Sequence, residues 1–134
     1  MCIRDSAQAA AAVRFAKEYT QQRTVFGKEV ASFQNTKFEL AACQAKVDAA
    51  QAVADRALEA LDEGELTAAE AASAKLFCTE VAAEVIDRCL QLHGGYGFMN
   101  EYPIARLYSD NRVNRIYGGT NEVMKTIIAK DMGL

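Results

Sequence analysis

Three short stretches carry residue types that plain connectors between helices do not require. In "QRTVFGK" (22–28) an arginine stands at a helix end, followed by an aromatic residue and a glycine. A guanidinium so placed suits a phosphate or a planar group. Taken alone, the segment also reads as a solvated arginine in a turn. In "QLHGGYGF" (91–98) paired glycines let backbone come close to another surface, and Gln91 offers both a donor and an acceptor. In "YGGTNE" (117–122) Gly118 and Gly119 expose backbone N–H groups, and Thr120 opens a helix whose N-terminus would favour an anion. As a turn followed by a cap it also needs no further role.

Groups that make and break bonds are scarce beside these stretches. His93 is the sole histidine, and no serine or cysteine nucleophile stands next to it. Near a helix C-terminus it is accounted for as a structural residue. The cysteines at 2, 43, 78 and 89 are too far apart for a CxxC pair, so no metal site is expected. Among apolar helical positions they read as reduced, buried thiols of a cytosolic-type compartment.

The elements that must position these stretches are helical. One proline in 134 residues, with alanine in long runs, favours helix throughout. The spacing of Ala12, Phe15 and Tyr19 predicts a helix over 7–22. After a break around Gly27, a long helix runs from about Asn35 to Leu61. Its apolar stripe is Leu40, Cys43, Val47, Ala50, Ala54, Leu58 and Leu61. Gly64 ends it as a left-handed cap. "TAAE" (67–70) is a capping box that opens the next helix, with Ala74, Phe77, Val81, Val85 and Leu92 on one face and an end close to His93. Three glycines in four residues and then Pro103 forbid a continuous helix over "GGYGFMNEYP". A short helix from Ile104 to Asn111 and a last one from Thr120 to about Met132 complete the chain. Two long helices joined by a short turn lie antiparallel, and the helices before and after cover their stripes. The expectation is an all-α, antiparallel bundle of the four-helix type.

The opening "MCIRDS" does not join smoothly to the alanine-rich helix that follows. It lacks the pattern of a signal peptide. Residues 1–6 are read as a non-native leader, and the domain as 7–134. The net charge of −3 is spread without a basic stripe, which argues against nucleic acid, and no apolar run is long enough to span a membrane.

Together and in this order, "QQRTVFGKEVASFQ", "QLHGGYGFMNEYPIARLYSDNRV" and "RIYGGTNEVMK" resemble the C-terminal helical domain of the flavin-dependent acyl-CoA dehydrogenases. The resemblance runs from about Ala7 to Leu134. It implies an FAD-dependent oxidation of acyl-CoA thioesters to trans-2-enoyl-CoA, with an electron-transfer flavoprotein as acceptor and a homodimer or homotetramer as the working form. A carboxylate removes the α-proton while the β-hydrogen leaves as hydride. By the resemblance, Arg23 and Phe26 meet the FAD diphosphate and adenosine portion across a subunit interface. Phe33 and Gln34 form a second FAD-contacting pair. Gln91, Gly94 and Gly95 pack against FAD from a partner subunit. Thr120, Asn121 and Glu122 form the cofactor-binding start of the last helix, and Gly119 lies where backbone meets substrate.

One departure matters. Many members place their catalytic glutamate in a Tyr-Glu-Gly-Thr sequence, where this chain has Tyr117-Gly118-Gly119-Thr120. Glycine has no proton acceptor, so no catalytic residue is expected in this chain. The long-chain and isovaleryl branches share this pattern and take their base from the preceding long helix, here ahead of Ala7. The implied setting is a bacterial cytoplasm or a mitochondrial matrix, and the isolated chain is expected to be inactive. Two alternatives stand beside this reading: a non-catalytic helical assembly module, and an acyl-CoA oxidase-like member of the same superfamily.

Overall fold

The computed structural model describes residues 2–134 and is a helical bundle. Helix α1 spans Cys2–Gln22, α2 Gln34–Asp62, α3 Ala68–Leu92, α4 Pro103–Asn111 and α5 Asn121–Asp131. Between α1 and α2 lies a two-residue hairpin, β1 (Thr24–Val25) and β2 (Lys28–Glu29), with Thr24 opposite Glu29 and Val25 opposite Lys28. A 3-10 turn over Gly94–Phe98 links α3 to α4. No helix among the described residues is long and apolar enough to cross a membrane.

Local signals set most boundaries. Thr67 accepts from the Glu70 N–H, and the Glu70 carboxylate reaches back to the Thr67 N–H, so the capping box is complete. Gly64 takes a φ of 74° between α2 and α3, the left-handed conformation that lets the chain reverse. Pro103 opens α4 at a position where its missing N–H costs nothing.

Helix α1 begins ahead of the expected start at Ala7. Its first turn is fixed by a distant partner: Arg4 Nη2 donates to Asn114 Oδ1 at 3.0 Å, and Asn114 Nδ2 donates to Asp5 Oδ1 at 2.8 Å. Side chains 109 residues apart in sequence leave no local trace.

The core is built from small residues. Ala9, Ala12 and Ala16 of α1 meet Cys43, Val47 and Ala50 of α2 and Cys78, Ala82, Val85 and Cys89 of α3, with Ile104 of α4 closing one end. Alanine and cysteine at helix contacts let the axes approach closely. The cysteines are free thiols, with 43, 78 and 89 buried. On α2 the stripe is buried only as far as Ala54, whereas Leu58 and Leu61 are exposed. Phe77 on α3 is uncovered at the same end.

Candidate functional site

The singled-out residues gather in two places along α3. The first is a cleft of about 550 Å³ at its C-terminal end, lined by Tyr19, Arg23, Val30, Gly94, Gly95 and Tyr96 among others. Arg23 reaches it because its N–H bonds the Tyr19 carbonyl at 2.9 Å, which ends α1, and its own carbonyl accepts from Val30 N–H at 2.8 Å. The guanidinium stands 5.6 Å from the Tyr96 ring centroid and has no carboxylate partner among the described residues. An exposed arginine held over an aromatic ring is a ready partner for phosphate or a planar group.

The hairpin tip beside it is strained. Phe26 and Gly27 both take positive φ, 49° and 77°, as a two-residue turn between right-handed strands requires. Glycine or asparagine is the usual choice at the first of these positions. Here a phenylalanine adopts it and is 94% exposed. No packing of its own side chain in the core offsets the cost of that conformation.

The glycines of 94–98 divide by role. Gly94 needs its φ of 56°, and a Cβ on Gly97 would lie 2.6 Å from the Leu90 carbonyl oxygen, so both serve the fold. Gly95 has ordinary φ and nothing within 4 Å of where a Cβ would stand. The fold itself does not ask for glycine there, whereas close approach by something outside the chain would.

His93 also lines this cleft, as part of an aromatic wall. Its ring stacks on Tyr19 with centroids 4.5 Å apart, and Nδ1 is 2.8 Å from the Cys89 carbonyl. A carbonyl only accepts, so Nδ1 carries the proton. Burial holds the imidazole pKa below its ordinary value, and burial pushes the Tyr19 phenol up. Neutral, stacked and bonded to backbone, His93 is structural.

The second place is the turn before α5. Thr79 on α3 anchors it, and from Thr79 to Leu92 the helix rises about 20 Å, which separates the two clusters. Gly118 and Gly119 take φ of 64° and 89°, and the N–H groups of Gly118, Gly119 and Thr120 meet no acceptor among the described residues. Thr120 Oγ1 caps α5 by accepting from Val123 N–H. The Glu122 carboxylate is exposed, and its own backbone N–H and the Thr120 hydroxyl lower its pKa. That carboxylate already serves the helix N-terminus, so the end expected to attract an anion presents an acceptor of its own.

Asn121 ties the turn to α3. Its side chain is buried, with Nδ2 donating to Thr79 Oγ1 at 3.0 Å and to Glu80 Oε1 at 2.7 Å. Both amide protons are taken up by α3, so the side chain holds the turn. Gln91 is exposed on the last turn of α3, Gln34 is exposed as the first residue of α2, and Phe33 lies half-buried with Lys28 Nζ 5.4 Å above its ring. None of these three lines the Arg23 cleft.

Lys75 was not singled out by sequence. It is 5% exposed, and Nζ donates to the carbonyls of Tyr117, at 3.1 Å, and Gly119. The available signal was its register: it falls on the buried face of α3 with Cys78, Ala82 and Ile86, where a lysine needs a partner. Asp5, also buried, has Oδ2 without a hydrogen-bond partner, and burial raises its pKa against the opposing pull of Arg4 and Lys75. Among the described residues no group of His, Cys, Asp and Glu is placed to hold a metal ion.

The family model described as "Acyl-CoA dehydrogenase, C-terminal domain" matches residues 1–133. The chain is 43% identical over 116 residues to the mitochondrial long-chain specific acyl-CoA dehydrogenase of Sus scrofa, covering 87% of this chain and 27% of that protein. It is 42% identical over 124 residues to the 3-(aryl)acrylate reductase of Clostridium sporogenes, covering 92% of this chain and 33% of that one. The crystal structure of acyl-CoA dehydrogenase from Geobacillus kaustophilus matches with a TM-score of 0.96 at 42% identity, over 99% of this chain and 35% of that one. The chain spans about a third of the length of these proteins.

Proposed function

Because this chain belongs to the acyl-CoA dehydrogenase family as its C-terminal helical domain, we propose that it forms one wall of an FAD and acyl-CoA site. The parent enzyme in this reading desaturates acyl-CoA thioesters to trans-2-enoyl-CoA. The observation that carries it is the convergence of Arg23, Gly94 and Gly95 on one cleft, with Gly95 free of any internal reason to be glycine. The residues present fit the cofactor. Arg23 supplies charge for a diphosphate, exposed Phe26 supplies an aromatic face, and Gly95 admits close approach.

Bound FAD would supply the hydride acceptor that no side chain provides. This chain's share is to hold and orient. Phe33, Gln34 and Gln91 lie outside the cleft and would meet the cofactor as it extends along the surface or reaches a second subunit of a dimer or tetramer. Thr120 and Glu122 present a hydroxyl and a carboxylate, both acceptors of hydrogen bonds from a cofactor's hydroxyl or imide groups. Gly119 lets substrate lie against backbone.

Gly118 removes no proton, so the base comes from the helix ahead of Ala7. Residues 1–6 stand in this reading as a foreign leader in the place of native helix. An electron-transfer flavoprotein is the acceptor. Rapid reoxidation by dioxygen would mark an oxidase-like member instead.

The test compares this chain with the protein in which the rest of the fold precedes it. The longer protein is expected to purify with a flavin spectrum that an acyl-CoA bleaches anaerobically, and Arg23→Gln to lose flavin on dialysis. The 134-residue chain is expected to retain no flavin and reduce no dye. A stoichiometric flavin on the chain alone, or no bleaching by straight or branched acyl-CoAs in the longer protein, refutes the proposal.

A further inference from the structure

Lys75 is among the most enclosed charged groups of the chain, and its two acceptors belong to a single turn. Its ammonium group has no carboxylate partner among the described residues. Both of its bonds run to backbone 42 and 44 residues away, on the Tyr117 and Gly119 carbonyls. A lysine brought into a core at this cost is matched to what it binds, because leaving the charge unpaired there is expensive.

We infer that Lys75 is the positioning residue of the Tyr117–Thr120 turn, fixing which way its peptide units face. The inference rests on the reading of that turn as part of the flavin and acyl-CoA site. A trans peptide is planar, with its carbonyl and N–H pointing oppositely. Holding the Tyr117 carbonyl inward turns the Gly118 N–H outward, and holding the Gly119 carbonyl inward does the same for Thr120 N–H. Those are groups without an acceptor among the described residues. Two adjacent glycines would otherwise sample many conformations. Asn121 anchors the far side of the turn on Thr79 and Glu80, and Glu80 Oε2 holds Arg115 at 2.8 Å, so α3 grips the segment at both ends. Lysine at 75 supplies the central clamp.

The ammonium also acts on the donors themselves. A charge bonded to a carbonyl polarises the same peptide unit and strengthens its N–H as a donor. Lys75 therefore orients and sharpens the outward edge of the turn without touching a ligand.

The test uses Lys75→Met and Lys75→Arg in the isotopically labelled chain, read by backbone relaxation. In Lys75→Met the order parameters of Gly118 and Gly119 are expected to fall from about 0.85 to below about 0.6, while Val85 and Ile86 stay rigid. Lys75→Arg, which keeps the charge, is expected to retain the ordered turn. An ordered turn in Lys75→Met overturns the proposal. So does a loss of order at Val85 and Ile86 equal to that in the turn, which would make Lys75 an ordinary core residue. In the flavin-loaded parent enzyme, kcat is expected to fall about tenfold or more in Lys75→Met and to recover in Lys75→Arg. A loosened turn with unchanged kcat, KM and flavin retention supports the positioning role and overturns the reading of the turn as part of the site.

Discussion

Gly95 and Gly97 differ by two positions and should respond oppositely to the same added methyl group. At Gly97 an alanine Cβ would stand 2.6 Å from the Leu90 carbonyl oxygen and 3.0 Å from Leu90 Cγ. That oxygen is the acceptor for His93 N–H at 2.9 Å, so the last turn of α3 must shift and its terminal bond stretch. Overpacking of this kind costs about 1–3 kcal/mol, and a clash with backbone belongs in the upper half, about 2–3 kcal/mol. A chain of 134 residues has an unfolding entropy of about 0.28 kcal/mol/K at the usual value per residue. Gly97→Ala is therefore expected to lower Tm by about 7–11 °C. At Gly95 nothing lies within 4 Å and φ is ordinary. Alanine there restricts only the unfolded chain, a gain of about 0.4–1 kcal/mol, or about 1–4 °C. Thermal unfolding of both variants followed by circular dichroism at 222 nm decides. Equal losses at the two positions, or Gly97→Ala within a degree of wild type, would refute the spatial reasoning. In the flavin-bearing parent, Gly95→Ala should weaken flavin retention despite its greater stability.

Phe26→Asn places a residue that tolerates left-handed backbone at the hairpin tip, so Tm should hold or rise while flavin retention in the parent falls. A loss above about 1 kcal/mol in denaturant titration would show that Phe26 serves the fold. Asp5 gives a pH signature. Its folded-state pKa is raised above the ordinary 3.8, so the folded state holds a proton that the unfolded state has released. The stability it contributes is full below that ordinary value and is lost as pH rises through the raised one. Asp5→Asn should remove this dependence and be the more stable protein at neutral pH. Parallel stability–pH curves for wild type and variant would contradict this.

Where one residue's chemistry decided a feature, it was legible in advance. Gly64 had to be a left-handed cap and Thr67 with Glu70 had to open a helix, because each is satisfied within a few residues. The spacing of Cys43, Val47, Ala50 and Ala54 likewise fixed the inward face of α2. The hairpin at 24–29 was seen only as a break, since strands of two residues show no alternation to detect. The glycine-bearing stretches stand out by composition, but which glycine serves the fold depends on what stands next to Gly97 and what does not stand next to Gly95.

The sequence by itself determined the helical elements, their caps, the family and the absence of an acidic side chain at position 118. Tertiary structure alone decided that residues 2–6 join α1, that Leu58 and Leu61 stay exposed, and that Asn121 turns inward. It also placed Lys75 under a turn more than forty residues away. Caps and stripes are decided by neighbours within a helical turn or two, so residue type reports them. A buried polar group is decided by its partner, and the partners of Asp5, Lys75 and Asn121 lie more than forty residues away in sequence.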